Sequence, residues 1–159
     1  MKKTVLSAAA GLALVAGAVS AQPPADAHKI VKPAELVWGP APPIFNPGAQ
    51  VTVVSGDLAA AGPFVVRVKM PAGYKIMPHF HPTDEHVTVL TGTVGMGMGD
   101  TLDAKAATAL GPGGYALMPA QMHHWLVTRT AATVQVHGMG PFALTYVNPA
   151  DAPKPPPAK

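Results

Sequence analysis

The chain predicts an all-β sandwich or barrel in a single domain, and three observations carry that prediction. Short segments rich in Val, Thr and aromatic residues recur from Gln50 to Val147, at a spacing of roughly eight to twelve residues. Turn signals separate them: Ser55-Gly56-Asp57, Pro71-Ala72-Gly73, Gly99-Asp100 and Gly111-Pro112-Gly113-Gly114. No stretch of this body keeps a 3.6-residue apolar period, and the Ala-rich pieces at 59–61 and 104–107 are too short to nucleate a helix alone. Strands are predicted at 50–55, 64–70, 75–81, 86–91, 94–98, 107–110, 115–118, 123–128, 133–137 and 142–147. The length, 159 residues, fits one domain.

The two ends read differently from this body. Met1-Lys2-Lys3 is a positive start, residues 4–19 are small or apolar without a charge, and Val19-Ser20-Ala21 places small residues before Gln22. That pattern predicts a cleaved signal peptide over 1–21 and a periplasmic or secreted mature protein. The apolar run is short for a membrane span and no basic cluster follows it, so no span is expected after cleavage. Residues 22–48 form a Pro-rich arm, expected to be extended, whose Trp38 and Phe45 would pin it against the barrel or a second subunit. Residues 49–148 are the barrel, and 149–159 are a Pro-rich tail expected to be flexible.

Charge and cysteine content narrow the function classes. Only 12% of the residues are charged, and losing Lys2 and Lys3 lowers the formal charge from +3 to +1. No Lys/Arg cluster remains to track a phosphate backbone, so nucleic acid is not an expected partner. The absence of cysteine excludes disulfides and thiolate metal sites.

The chemistry concentrates in histidine. Along a strand, side chains alternate faces, so His79 and His81 point the same way. Pro82-Thr83-Asp84 can turn the chain, and Glu85 then opens the adjacent antiparallel strand. Two imidazoles and a carboxylate converge as a facial set suited to a divalent transition metal. A second group, His123-His124, begins a later strand, and either one could supply a fourth ligand while leaving coordination positions open.

At these residues the sequence resembles the cupins. Gly73, His79, His81, Glu85 and Gly92 match every anchor of the first cupin motif, and Gly113, Pro119 and His124 match the second. Gln121 stands where the second motif usually has Gly, a substitution tolerated unless φ is positive there, and Thr128 stands where Asn is usual. The small exported single-domain cupins of the conserved-barrel type look most similar. The resemblance implies a double-stranded β-helix, a jelly-roll barrel. It implies His79, His81, Glu85 and His124 as ligands of one divalent metal (Fe, Mn, Ni, Zn or Cu), with register selecting His124 over His123. It also makes a homodimer plausible.

Strand parity sorts the other candidates. His86 and His123 fall off the face of the ligands, and His28 lies in the arm. Thr133, Gln135 and His137 share one face of their strand, and Val134 and Val136 share the other. A pocket for a small-molecule ligand lined by Met77, Met118, Gln135 and His137 is one expectation; the valines facing in and the polar pair facing water is the other. The methionines are expected to pack rather than ligate. The overall expectation is a mononuclear metal-dependent enzyme, oxygenase-like or isomerase/decarboxylase-like, with a non-catalytic metal or small-ligand binding barrel as the alternative. No catalytic residue beyond the ligands is identified.

Overall fold

The computed structural model describes residues 28–154; the predicted signal segment, the first residues of the arm and residues 155–159 lie outside them. Eleven strands run in chain order: β1 (Gly39–Pro40), β2 (Gln50–Ser55), β3 (Gly62–Met70), β4 (Lys75–Phe80), β5 (Glu85–Thr91), β6 (Val94–Met98), β7 (Thr108–Leu110), β8 (Tyr115–Met118), β9 (His124–Thr128), β10 (Ala132–Gly140) and β11 (Thr145–Tyr146). The described helical structure is two single 3-10 turns, at Pro33–Glu35 and Pro149–Asp151. The strands form two sheets, in the orders β1-β2-β3-β10-β5-β8 and β11-β4-β9-β6-β7, with every pair antiparallel. This is the expected jelly-roll double-stranded β-helix.

Alternation of apolar and polar residues decides which face of each strand turns inward. In β3, Phe64, Val66, Val68 and Met70 are buried while the intervening Arg67 and Lys69 are not. In the adjacent β10, Ala132, Val134 and Val136 are buried and Thr133, Gln135 and His137 are not. Val66 pairs with Val136 and Val68 with Val134, so the inner face is a continuous sheet of valine. β-branched side chains suit a pleated, half-buried surface, which is why these segments become strands. The turns are equally constrained. Gly92 has a φ of 75°, and a Cβ there would sit 2.2 Å from the Ala131 carbonyl oxygen, so only glycine fits between β5 and β6.

The predicted segment 142–147 contains only the two-residue β11. The chain before it crosses the barrel end instead, where the Phe142 amide donates to the Leu58 carbonyl at 2.7 Å. In the second sheet every residue of β9 is buried, including the outward-facing Trp125. Its ring lies directly over Gly97 of the paired β6, where a Cβ would be 2.0 Å from the indole.

Candidate metal centre

His79 lies near the end of β4, His81 just beyond it, Glu85 at the first position of β5 and His124 at the first position of β9. The pairing of β4 with β9 sets His79 directly opposite His124. The turn between His81 and Glu85 is tied down from both sides: Asp84 Oδ1 accepts from the Ala120 amide at 2.8 Å, and Thr83 donates to the Met139 carbonyl at 2.8 Å. The ligand atoms of the four residues all lie within 4.8 Å of one another. The three residues nominated by strand spacing come together with His124, which the motif register selected, and His123 is not among them.

Hydrogen bonding fixes the state of the rings. Nδ1 of His79 donates to the Met77 carbonyl at 2.7 Å, that of His81 to the Ala143 carbonyl at 2.7 Å, and that of His124 to the Met122 carbonyl at 2.9 Å. A carbonyl can only accept, so each Nδ1 carries a proton, which leaves each Nε2 as the ring atom available to ligate. Those of His81 and His124 are buried without a hydrogen-bond partner. They lie 3.5 and 3.2 Å from Glu85 Oε2, another lone-pair donor. Burial, followed by the neighbouring His124 and His81, pushes His79 down to about 3. Burial also lowers His81, against the opposing pull of Glu85. Burial alone would raise the Glu85 carboxyl, but His124, His81 and His79 outweigh it and hold it below the usual carboxylate range. Lone pairs thus converge in a buried place with no proton between them. Unpaired buried polar atoms are costly, and a divalent cation satisfies all four at once. The residues fit a metal by donor type, tautomer and the outer carbonyl partners that orient ligating histidines.

The four donors form one end of a cavity of about 410 Å³. Val51, Val66, Val68, Val134 and Val136 line it from the first sheet, and Ile76, Met96 and Leu126 from the second. Phe45, Leu58, Phe142 and Leu144 complete the lining, with the Phe142 ring 5.0 Å from that of His81. The Pro-rich arm therefore completes the wall. Two buried tyrosines hold it there, Tyr74 donating to the Asn46 carbonyl at 2.6 Å and Tyr146 to the Ile44 carbonyl at 2.7 Å. Burial, together with Tyr146 nearby, pushes Tyr74 up to about 12, and burial and Asp151 also raise Tyr146, so both remain protonated donors. Trp38 packs beneath the Lys69 ammonium, 3.9 Å from its ring centroid. Both aromatics of the arm thus engage their own barrel.

The predicted pocket residues require correction. Gln135 and His137 are outside: Gln135 accepts from Arg67 at 3.1 Å, and His137 stacks on His86 with ring centroids 4.7 Å apart. Burying valine rather than amide and imidazole is the cheaper arrangement, and it faces the strand the other way. Met77 is displaced by a bulge in β4. Ile76 pairs with Leu126 and His79 with His124, so three steps on β4 match two on β9. The bulge breaks the alternation, and Ile76 rather than Met77 lines the cavity. Met118, 1% exposed, lies opposite Glu85 on β8 but is packed into the core and does not line the cavity. His123 binds Asp100 at 2.6 Å, away from the site, and His86 accepts from the Tyr115 hydroxyl at 2.6 Å or donates to it.

The two departures in the second motif have structural roles. Gln121 takes a φ of 64°, the left-handed region that glycine usually fills, and its amide donates to the His81 carbonyl at 2.9 Å. Thr128 accepts from the Tyr74 amide at 2.8 Å and donates to the Pro71 carbonyl at 2.6 Å. It secures the turn that presents Tyr74 to the arm. The surface met by the arm and the lining residues Leu58, Phe142 and Leu144 gave no sequence signal, because they depend on how segments distant in the chain pack together.

Comparison with known proteins agrees with this architecture. The profile of the ChrR cupin-like domain matches residues 26–143. No curated protein matches in sequence. Among solved structures, the polyketide cyclase RemF of Streptomyces resistomycificus superposes with a TM-score of 0.66 at 18% identity, over 79% of this chain and 89% of that one. A candidate acetylacetone dioxygenase of Methylibium petroleiphilum gives 0.62 at 19% identity, over 80% and 86%. An RmlC-like cupin of Shewanella frigidimarina gives 0.56 at 12% identity, over 70% and 90%. At these identities the likeness is one of fold.

Proposed function

The chain belongs to the ChrR cupin-like family, and from that premise we propose that it is a mononuclear metal-dependent enzyme acting on a small molecule, exported to the periplasm or beyond. The observation that carries the reading is the buried set of His79, His81, Glu85 and His124, with the Nε2 atoms of His81 and His124 unpartnered, in the wall of an apolar cavity. These residues hold one divalent transition ion, and the donor set accepts Fe, Mn, Ni, Zn or Cu. When bound, such an ion supplies Lewis-acid or redox chemistry at the cavity end. The three neutral imidazoles orient it, and Glu85 balances part of its charge. The valine walls exclude water from the reacting end and strengthen every polar contact made there. Two fold relatives bear enzyme names, a polyketide cyclase and a candidate acetylacetone dioxygenase, which supports small-molecule chemistry in such a barrel.

One observation favours a second reading, a non-catalytic binding barrel: the cavity wall carries no titratable side chain beyond the four donors. Metal analysis of the purified protein, with His81→Ala and Glu85→Ala controls, tests the cage. A stoichiometric ion in the wild type and its loss in both variants is expected. Oxygen consumption and product analysis over a substrate panel then separate the readings, turnover supporting the enzyme and silence the binder. Export rests on the residues preceding Gln22; the expected outcome is a secreted or periplasmic chain beginning at Gln22, checked by N-terminal sequencing.

A further inference from the structure

The walls of the cavity define the ligand more narrowly than the donors do. Beyond His79, His81, Glu85 and His124, every side chain lining it is apolar. Several backbone carbonyls along this lining are also engaged. The Ile44 carbonyl accepts from Tyr146, the Pro42 carbonyl from the Phe45 amide, and the Leu58 carbonyl from the Phe142 amide. The Ala143 carbonyl accepts from His81. A polar group on the body of a ligand therefore meets no polar side chain there and loses its hydration. A ligand of one polar end has a single place to put it, against the four donors. The volume of about 410 Å³ lies at the lower end of the range for small-molecule sites.

Resting on the proposed metal cage, we infer that the substrate is a medium-length, largely hydrocarbon molecule with one oxygen-donor head. The head sits against the donors, and the cavity discriminates against a second charged or strongly hydrogen-bonding group. Val66, Val134 and Val136 contact the body, together with Phe45 on the tyrosine-pinned arm.

Two ligand series test this on the mature chain. In the first, the Co(II)-loaded protein is titrated with acetohydroxamate, butanohydroxamate, hexanohydroxamate and octanohydroxamate, read by the visible spectrum of the ion. Affinity should rise about fourfold per added methylene until the cavity fills. Suberic acid monohydroxamate, of similar length but with a far carboxylate, should bind at least about 100-fold more weakly than octanohydroxamate. A flat or falling series, or equal binding of the carboxylate, overturns the inference. In the second, metal-free protein is titrated with 1-butanol, 1-hexanol and 1-octanol by calorimetry. A similar slope supports the apolar body without reference to any ion. If Co(II) does not bind but the alkanol slope appears, the cage reading fails and the apolar preference stands. If Co(II) and acetohydroxamate bind with no slope in either series, this inference alone fails. Val136→Phe should end the rise at a shorter chain and Phe45→Ala at a longer one. Circular dichroism melting confirms that each variant is folded, and an unshifted plateau in both folded variants counts against the inference.

Discussion

The molecule contains two histidine clusters that begin from neighbouring residues and end in opposite environments. His124 and Glu85 lie inside the barrel; His123 and His86, one residue away from each, lie outside it. Inside, every Nδ1 is tied to a backbone carbonyl and the Nε2 atoms converge. Outside, His86 and His137 stack on each other beside Tyr115, and His123 pairs with Asp100. Residue type is the same in both clusters. Strand parity makes the difference: the inner imidazoles are buried with each Nδ1 held by a carbonyl, while the outer ones stand at the surface.

The sharpest way to break this comparison is to remove one residue from each side. His81→Ala or His124→Ala should weaken metal binding by more than about 100-fold, whereas His86→Ala or His137→Ala should leave stoichiometry and affinity unchanged, as measured by metal analysis after dialysis. Equal losses from both clusters would sink the distinction.

Acid should separate the clusters next. Folding lowers His79 from its ordinary value to about 3. Between those values the unfolded chain binds a proton that the folded chain refuses, so stability is full above about pH 6.5 and declines as pH falls toward 3. For metal-free protein the decline should reach roughly 2 kcal/mol by pH 5, seen as a lower urea midpoint. A saturating metal should hold the folded state against that loss, because it binds the neutral donors. An acid-insensitive metal-free protein would mean that His79 is not buried as a neutral ring.

A smaller effect tests parity itself on β10. Val136→Gln places an amide against the apolar cavity and should cost about 1–3 kcal/mol, whereas Gln135→Val, on the outer face, should change stability by less than about 1 kcal/mol. Chemical denaturation measures both, and a reversal of their order would put the polar face inward after all. The smallest expected effect concerns the outer stack. Burial and the adjacent His86 lower the pKa of His137, so His86→Gln should move the His137 titration upward in a proton NMR experiment, and no movement would show that the two rings do not sense each other.

Much of this was readable from sequence, and the rest was hidden for identifiable reasons. Turn signals helped locate β2, β6 and β8 at both ends: Ser55-Gly56-Asp57 closes β2, Gly99-Asp100 follows β6 and Gly111-Pro112-Gly113-Gly114 precedes β8. Strand parity placed His79, His81 and Glu85 on one site without appeal to resemblance, whereas choosing His124 over His123 required the motif register. Parity failed on β10 because both faces looked plausible in isolation, and only the opposing valines of β3 settle which one is buried. It failed at Met77 because a bulge leaves no mark in the residue pattern. Phe45 was read correctly as an anchor of the arm, but the surface it anchors to is a tertiary fact.

Gln121 bears on when the cage is assembled. Its left-handed backbone costs on the order of 1 kcal/mol relative to glycine. In return its amide, on the loop that leads to His124, binds the carbonyl of His81. With each ring already locked to a carbonyl, the rotamer entropy of the site is spent during folding rather than at capture. An arriving ion has little left to order, so its affinity reflects coordination almost alone, and a chelator that strips it should leave the barrel standing.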